Sequence, residues 1–257
     1  MSSNDSTSKT LIVAFSLCIV CSIVVSAAAV LLKPAQEANK IQDLKRNVLA
    51  AAGMYDDSVS VDEQFGQIST RIVDLRTGKF AEDVNAESYD QRKAAKDPAA
   101  SDALTSDQDL AKVARREHYA IIYLVEGADG SIDKIILPVR GYGLWSTLYG
   151  FIALESDADT VAGLGFYEHA ETPGLGGEVD NPRWKASWPG KKVYRDGEVA
   201  IGLIKGAVDP ANANASWEID GLAGATLTAR GVTNLVRFWL GENGFEPFLN
   251  NLKSGEA

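Results

Sequence analysis

The run Asp220–Thr228, with the sequence Asp-Gly-Leu-Ala-Gly-Ala-Thr-Leu-Thr, has two hydroxyl side chains at the start of a segment with helical apolar periodicity. Gly221 and Gly224 allow the backbone to approach a bulky ligand closely and to adopt positive φ. Thr226 and Thr228 stand where the helix is expected to begin, and the free N–H groups of a helix N-terminus favour a phosphate. The run is compatible with a phosphate site, but taken alone it favours a tight turn with Thr228 as an ordinary N-cap, because glycine-rich helix entries are common.

Two upstream segments have the composition of ligand-binding loops. The segment His169–Gly177 follows a predicted strand and has four glycine or proline residues within Pro173–Gly177, so it can offer backbone N–H groups to a ligand. The segment Gly141–Thr147 holds Trp145 in a glycine-bounded turn, which suits contact with a planar ring. Each segment is a weak signal alone, so the interpretation depends on their occurrence together.

The histidines and cysteines do not predict a metal centre. His118 and His169 are the two histidines of the chain, and their spacing matches no zinc pattern. For His169 we predict a surface or supporting role, and a proton relay is the alternative. Cys18 and Cys21 lie inside the N-terminal apolar run, where cysteine behaves as a small apolar residue.

An α+β domain is predicted to position the three segments, because strands lie between helical ends. The predicted strands are Tyr119–Glu126, Ile132–Val139, Gly150–Leu154, Val161–His169 and Val199–Lys205, and the predicted C-terminal helices are Leu227–Leu240 and Glu246–Lys253. Ser60–Glu63 and Thr105–Gln108 are predicted capping boxes that open short helices. The polar stretch Asn85–Ser106 is predicted to be a surface excursion.

The N-terminal apolar run is predicted to be an uncleaved membrane anchor. Leu11–Leu32 contains no charged residue, and as a helix it is about 33 Å long, enough to cross a bilayer core. A cleaved signal peptide is the alternative, but the apolar run continues past Ser26–Ala29, and Met1–Ser8 is not basic. We therefore predict a cytoplasmic tail at 1–10, a transmembrane helix at 11–32, an amphipathic stalk helix at 33–53 and a domain at 54–257.

The charge of the chain limits its partners. The 257 residues carry a formal net charge of −10 without a clustered basic surface, which excludes nucleic acid as a partner. The basic residues that follow the span favour a cytoplasmic domain weakly, but this rule loses force for a long translocated domain. No Gly-x-Gly-x-x-Gly dinucleotide fingerprint follows a strand, so we predict that NADH is not oxidised on this chain.

Three motifs occur in the order that is typical of one family. They are Gly-Leu-Trp-Ser at 143–146, Glu-Thr-Pro-Gly-Leu-Gly-Gly-Glu at 171–178 and Asp-Gly-Leu-Ala-Gly-Ala-Thr at 220–226, and all follow a single N-terminal span. With these motifs the chain resembles the C subunit of the Na+-translocating NADH:quinone reductase. The resemblance covers essentially the whole length, including Phe238–Gly241 and Gly244–Phe248. The G subunit of the related Rnf-type electron-transport complex has the same flavin domain, but it generally lacks so long an insertion between stalk and core.

The resemblance implies an FMN-binding domain on the periplasmic side of the bacterial inner membrane, with FMN attached by a phosphoester bond to Thr226. It also implies one-electron relay between cofactors of neighbouring membrane subunits, and maturation by a flavin transferase. The other positions expected to contact FMN are Trp145, Glu171, Thr172, Leu175, Gly176, Lys205, Gly224, Ala225, Leu227 and Thr228. Ala223 departs from the family pattern, which usually has serine or threonine three residues before the acceptor.

Two other classes of function stay open. In one, the chain is a structural or assembly subunit that binds only proteins. In the other, it is an independent extracytoplasmic flavoprotein reductase. Flavin fluorescence of the denatured chain distinguishes the first class from a covalent flavoprotein, and activity after separation from every other subunit identifies the second.

Overall fold

The computed structural model describes residues 6–127 and 129–257. The chain divides into two compact units: the first ends at Asp43, and the second spans Leu44–Ala257. Helix α1 (Thr7–Ala51) supplies the described part of the first unit, and the side chains of residues 6–41 are all exposed. This helix is long and apolar enough to cross a membrane. The predicted span at 11–32 and the predicted stalk at 33–53 fall on this one helix, which contains Pro34, except that the helix ends at Ala51 and residues 52–53 form a turn. Residues 1–5 of the predicted tail lie outside the described residues.

A six-stranded antiparallel sheet forms the centre of the Leu44–Ala257 unit, with the strand order β2-β1-β5-β6-β7-β8. Its strands are β1 (Ile68–Asp74), β2 (Lys79–Phe80), β5 (Tyr119–Glu126), β6 (Ile132–Tyr142), β7 (Thr147–Glu155) and β8 (Val161–Glu168). Three small two-stranded pairs combine β3 (Ser101–Ala103) with β4 (Arg115–Glu117), β9 (Tyr194–Arg195) with β10 (Glu198–Val199), and β11 (Gly202–Leu203) with β12 (Glu218–Ile219). The helices after α1 are α2 (Val61–Phe65), α3 (Gln91–Ala94), α4 (Pro182–Lys185), α5 (Thr226–Leu240) and α6 (Glu246–Ser254), and Gly176–Asp180 forms a 3-10 turn.

Each face of the sheet is covered by a different part of the chain, which requires apolar residues at successive positions of the central strands. In β5, Ile122 and Leu124 face the core that contains α5, whereas Tyr123 and Val125 face the core that contains the end of α1. The apolar stripe of α5 consists of residues 232, 235, 236 and 239, all of them buried. Packing against these two cores, one on each face, fixes the position of the sheet relative to the start of α5.

The central sequence predictions are confirmed. Strand β5 has the predicted bounds, and β6, β7 and β8 lie within a few residues of theirs. Helix α5 begins one residue before the predicted start, and α6 ends one residue after its predicted end. Ser60 accepts a hydrogen bond from the backbone N–H of Glu63, as a capping residue of α2 should.

Other predictions were wrong because pairing with distant residues decided the local structure. The predicted strand Val199–Lys205 is broken, since its first residues pair with β9 and its later residues with β12. Thr105 does not open a helix, and its N–H and hydroxyl bond instead to Gln108 Oε1 in a turn. The stretch Asn85–Ser106 is not a plain surface excursion, because it contains α3 and β3 and buries Ser101.

Candidate functional site

Helix α5 begins at Thr226, the residue that the sequence predicts as phosphate acceptor. Its N-cap is Ala225, whose short side chain makes no capping hydrogen bond, and Gly224 precedes it at a φ of +71°. Thr226 is exposed, so its hydroxyl and the first N–H groups of the helix are open to a ligand. Thr228 is fully buried inside the first turn, and the alternative in which it is the N-cap is therefore wrong.

An open cleft of about 690 Å³ lies directly beside Thr226. The chain segment 203–207 forms one wall, the first two turns of α5 form the other, and the residues 220–224 lie between them. The lining residues are Leu203, Ile204, Lys205, Gly206, Ala207, Asp220, Gly221, Leu222, Ala223, Gly224, Thr226, Ala229, Arg230 and Thr233. Three of the predicted site residues, Lys205, Gly224 and Thr226, thus share this cleft.

Hydrogen bonds fix the walls of the cleft. Gly221 N–H donates to the Gly206 carbonyl at 2.7 Å, and a side chain at position 221 would collide with the carbonyl of Ile204. The wall 203–207 is tied to α5 through Thr233, whose Oγ1 accepts a 3.0 Å hydrogen bond from Leu203 N–H. A glycine is required at 221 because the two backbone segments approach so closely.

Two cations line the cleft without a protein partner. The side chains of Lys205 and Arg230 are exposed, and neither makes a hydrogen bond or an ion pair within the described residues. The Asp220 carboxylate, in contrast, accepts a 2.8 Å hydrogen bond from Val208 N–H. Sequence reasoning missed Arg230, although its position four residues after Thr226 places both on one face of α5.

A buried carboxylate joins the three predicted segments. Glu171 is 5% exposed, and its Oε1 accepts hydrogen bonds from the backbone N–H groups of Trp145 at 2.9 Å and Leu144 at 3.0 Å. Its Oε2 accepts a 2.6 Å hydrogen bond from the hydroxyl of Thr228. One side chain therefore connects the turn that carries Trp145, the glycine-rich loop and the first turn of α5.

These hydrogen bonds also keep Glu171 ionised. Burial alone raises the pKa of its carboxyl, but the hydrogen bonds from Thr228 and from three backbone N–H groups at 144–146 outweigh that effect. The pKa of Glu171 consequently lies below its ordinary value. The site is thus organised around a negative charge that is neutralised by protein dipoles.

The ends of these segments expose large apolar side chains. Trp145 is 64% exposed, Leu227 51%, Leu175 44% and Tyr142 41%. The Leu175 side chain lies against Gly224, because a Cβ at 224 would stand 3.0 Å from Leu175 Cδ2. Exposed apolar side chains that form a contiguous patch are typical of binding surfaces, and Leu175 and Leu227 are the two that adjoin the start of α5.

The remaining predicted positions support the loops. The Thr172 carbonyl accepts hydrogen bonds from the N–H groups of Leu175 and Gly177, and Gly176 packs where a Cβ would meet Thr228 Oγ1. Ala225 is buried at 5% exposure. His169 Nδ1 accepts a 3.2 Å hydrogen bond from Glu171 N–H, so the proton on Nε2 is directed to Asp180 at 2.8 Å. His169 thus holds the glycine-rich loop in place.

Comparisons with known proteins agree with this geometry. The FMN-binding domain family matches residues 143–241, which include the Trp145 turn, the glycine-rich loop and the start of α5. The chain is 54% identical to the C subunit of the Na+-translocating NADH-quinone reductase of Pseudomonas aeruginosa over 100% of both chains, and 50% identical to that of Vibrio vulnificus over 99% of both. The crystal structure of Shewanella oneidensis NqrC superposes with a TM-score of 0.76 at 35% identity, covering 86% of this chain and 99% of that one.

Proposed function

The chain belongs to the family of the C subunit of the Na+-translocating NADH-quinone reductase, an oxidoreductase complex, and we propose that it relays electrons there through FMN attached to Thr226. The observation that carries the proposal is the position of Thr226. Thr226 is exposed at a helix N-terminus and lines a cleft whose two cations, Lys205 and Arg230, have no partner within the described residues, and the exposed Leu227 follows it. The adjoining subunits of the complex are the proposed partners, together with the flavin transferase that attaches FMN.

The residues present fit both chemical halves of FMN. Trp145, Leu175 and Leu227 offer apolar surface for the flavin ring, and the cleft beside Thr226 offers polar backbone groups and cations for the ribityl phosphate. When bound, FMN supplies reversible uptake and release of electrons. A phosphoester bond to Thr226 would prevent its loss from the protein.

The protein residues in this proposal hold the ring site in one geometry. Glu171 keeps the Trp145 turn against the first turn of α5, through the hydrogen bonds to Leu144, Trp145 and Thr228. Because those contacts engage both carboxylate oxygens of Glu171, we assign it a positioning role in place of the direct flavin contact that the resemblance implies. The exposed apolar residues would exclude water from the face of the flavin ring.

Covalent attachment is tested on the full-length chain produced together with a flavin transferase. The denatured wild-type chain should keep flavin fluorescence on a gel, and intact mass should show one FMN phosphoester. Thr226→Ala should abolish both signals because it removes the acceptor oxygen, whereas Thr226→Ser should retain them. Fluorescent Thr226→Ala protein would exclude Thr226 as the acceptor, and a wild-type chain without flavin would favour a purely structural subunit.

We also propose that α1 anchors the chain in the bacterial inner membrane, with the Leu44–Ala257 unit on the periplasmic side. The exposed apolar surface of α1 and the family to which the chain belongs support this arrangement. Added protease should digest the globular unit once the outer membrane is permeabilised. Digestion only after the inner membrane is broken would show the opposite orientation.

A further inference from the structure

We propose that Arg230 and Lys205 form a clamp for the flavin phosphate, so that the cleft beside Thr226 binds FMN more tightly than phosphate-free riboflavin. The inference rests on the proposed function, since it concerns the same site. It adds a specificity-determining residue, Arg230, that acts on the phosphate end of the flavin.

Arg230 and Thr226 belong to the same helix, α5, and both line the cleft. Residues four apart on a helix lie on one face, separated by about 6 Å along the axis. Helical side chains lean toward the N-terminus of their helix, which favours an Arg230 side chain directed to the turn that begins at Thr226. Lys205 lies on the opposite wall of the same cleft.

Several other arginines of the unit are paired with a carboxylate or a carbonyl, and Arg230 differs from them. Arg140 pairs with buried Glu117 at 2.6 Å, Arg92 pairs with Glu168 at 2.9 Å, and Arg237 donates to the carbonyl of Ile201 at 3.0 Å. Arg230 has no such partner within the described residues, although it lies on the same helix as Arg237. In a chain with a formal net charge of −10, two cations in one cleft that have no partner among the described residues are well placed to attract an anion.

A phosphate at Thr226 would meet three sources of positive potential. The first N–H groups of α5 favour an anion, the guanidinium of Arg230 can donate two parallel hydrogen bonds, and the ammonium of Lys205 adds a point charge. Asp220 is the acidic residue that lines the cleft, and its Oδ1 accepts the hydrogen bond from Val208 N–H. Riboflavin offers the same ring without the phosphate, so it would gain nothing from the clamp.

The test uses the full-length chain in detergent, produced without a flavin transferase so that Thr226 is unmodified. Affinities for FMN and for riboflavin are measured by flavin fluorescence. We expect the wild-type chain to bind FMN about tenfold more tightly than riboflavin. Arg230→Ala should weaken the affinity for FMN about fivefold, because an exposed charge contact contributes only modestly, and it should leave the affinity for riboflavin unchanged.

Three comparisons sharpen the result. Arg230→Lys should restore part of the preference for FMN, because it keeps the charge but not the paired hydrogen bonds. Arg183→Ala is the matched control: it removes one exposed positive charge from α4, outside the cleft, and should change neither affinity. Raising the salt concentration should reduce the wild-type preference and leave riboflavin binding intact.

The clamp is refuted if Arg230→Ala lowers the affinities for FMN and riboflavin equally, or lowers neither affinity. A second readout covers the case in which reversible binding is too weak to measure. It is the initial rate at which the transferase moves FMN to Thr226 from a flavin dinucleotide donor, whose pyrophosphate bond breaks and releases the nucleoside monophosphate. If that rate is the same for Arg230→Ala and Arg183→Ala, the clamp is wrong while the proposed function stands. If the wild-type chain neither binds flavin nor acquires it, the proposed function fails as well.

Discussion

Replacing Glu171 should loosen the site more than any other single polar substitution in the three segments. Glu171→Ala leaves the buried hydroxyl of Thr228 and the N–H groups of Leu144 and Trp145 without their acceptor. Water can reach the partly exposed Trp145 turn, but it cannot reach Thr228, which is fully buried. An unsatisfied buried group costs about 1–3 kcal/mol, so we expect a total loss of about 3 kcal/mol.

Glu171→Gln should cost about 1 kcal/mol, because an amide can still accept from the backbone N–H groups and donate to Thr228 Oγ1 but lacks the negative charge. For a unit of this size, 1 kcal/mol corresponds to roughly 2–4 °C in Tm. Thermal unfolding of the full-length chain in detergent should therefore show a drop of roughly 6–12 °C for Glu171→Ala and roughly 2–4 °C for Glu171→Gln. Glu178→Gln in the same loop is the control, with a smaller expected change.

The pH dependence gives an independent check. The pKa of Glu171 lies below its ordinary value of 4.5, so the unfolded chain takes up a proton at this group before the folded chain does. The stabilisation by the carboxylate is fully present above pH 4.5 and is lost as the pH falls through the folded-state pKa. The difference in Tm between wild type and Glu171→Gln should consequently shrink below pH 4.5. A constant difference from neutral pH down to that range, or an unchanged Tm for Glu171→Ala, would refute the reasoning.

Other substitutions separate folding from flavin contact. Gly221→Ala should reduce flavin attachment and lower Tm, because the added Cβ collides with neighbouring backbone. Gly165→Ala is the control, because a Cβ there meets open space and should have little effect on attachment or Tm. Equal behaviour of the two variants would contradict the steric argument. Trp145→Ala should leave Tm within about 2 °C of wild type, because the side chain is 64% exposed. The same variant should change the absorption and fluorescence of attached flavin. An unchanged flavin spectrum would show that Trp145 does not contact the ring. Glu117→Ala should destabilise the unit by about 3 kcal/mol in a urea titration, because it strands Arg140, and a loss under about 1 kcal/mol would count against a buried pair.

Local patterns in the sequence were sufficient to predict the central elements. The apolar stripe of α5 has the spacing of one helical face, and the strands β5 and β6 flank a glycine-rich turn, so the relevant signals lie within a few residues of each other. The exposed Thr226 at the start of α5 also follows from local chemistry, because glycine-rich entry and apolar periodicity together locate the helix N-terminus.

Pairing between distant segments was beyond the reach of those patterns. Strand β1 alternates too weakly to be recognised alone, and its place in the sheet depends on its pairing with β5. The break in the predicted strand Val199–Lys205 likewise depends on partners at β9 and β12. Strand propensity measures packing on a sheet more than a property of the segment itself, so the segment cannot reveal its neighbours.

The sequence by itself predicted which residues belong to the candidate site: Thr226 as the proposed acceptor, the glycine-rich loop and Trp145. Only the tertiary structure decided how they act together. It turned Glu171 into the buried link to Thr228, 57 residues away, and it brought Lys205 and Arg230 to opposite walls of one cleft. The physical reason is that periodicity and turn chemistry are local, whereas the partner of a buried charge is set by how the sheet and α5 pack.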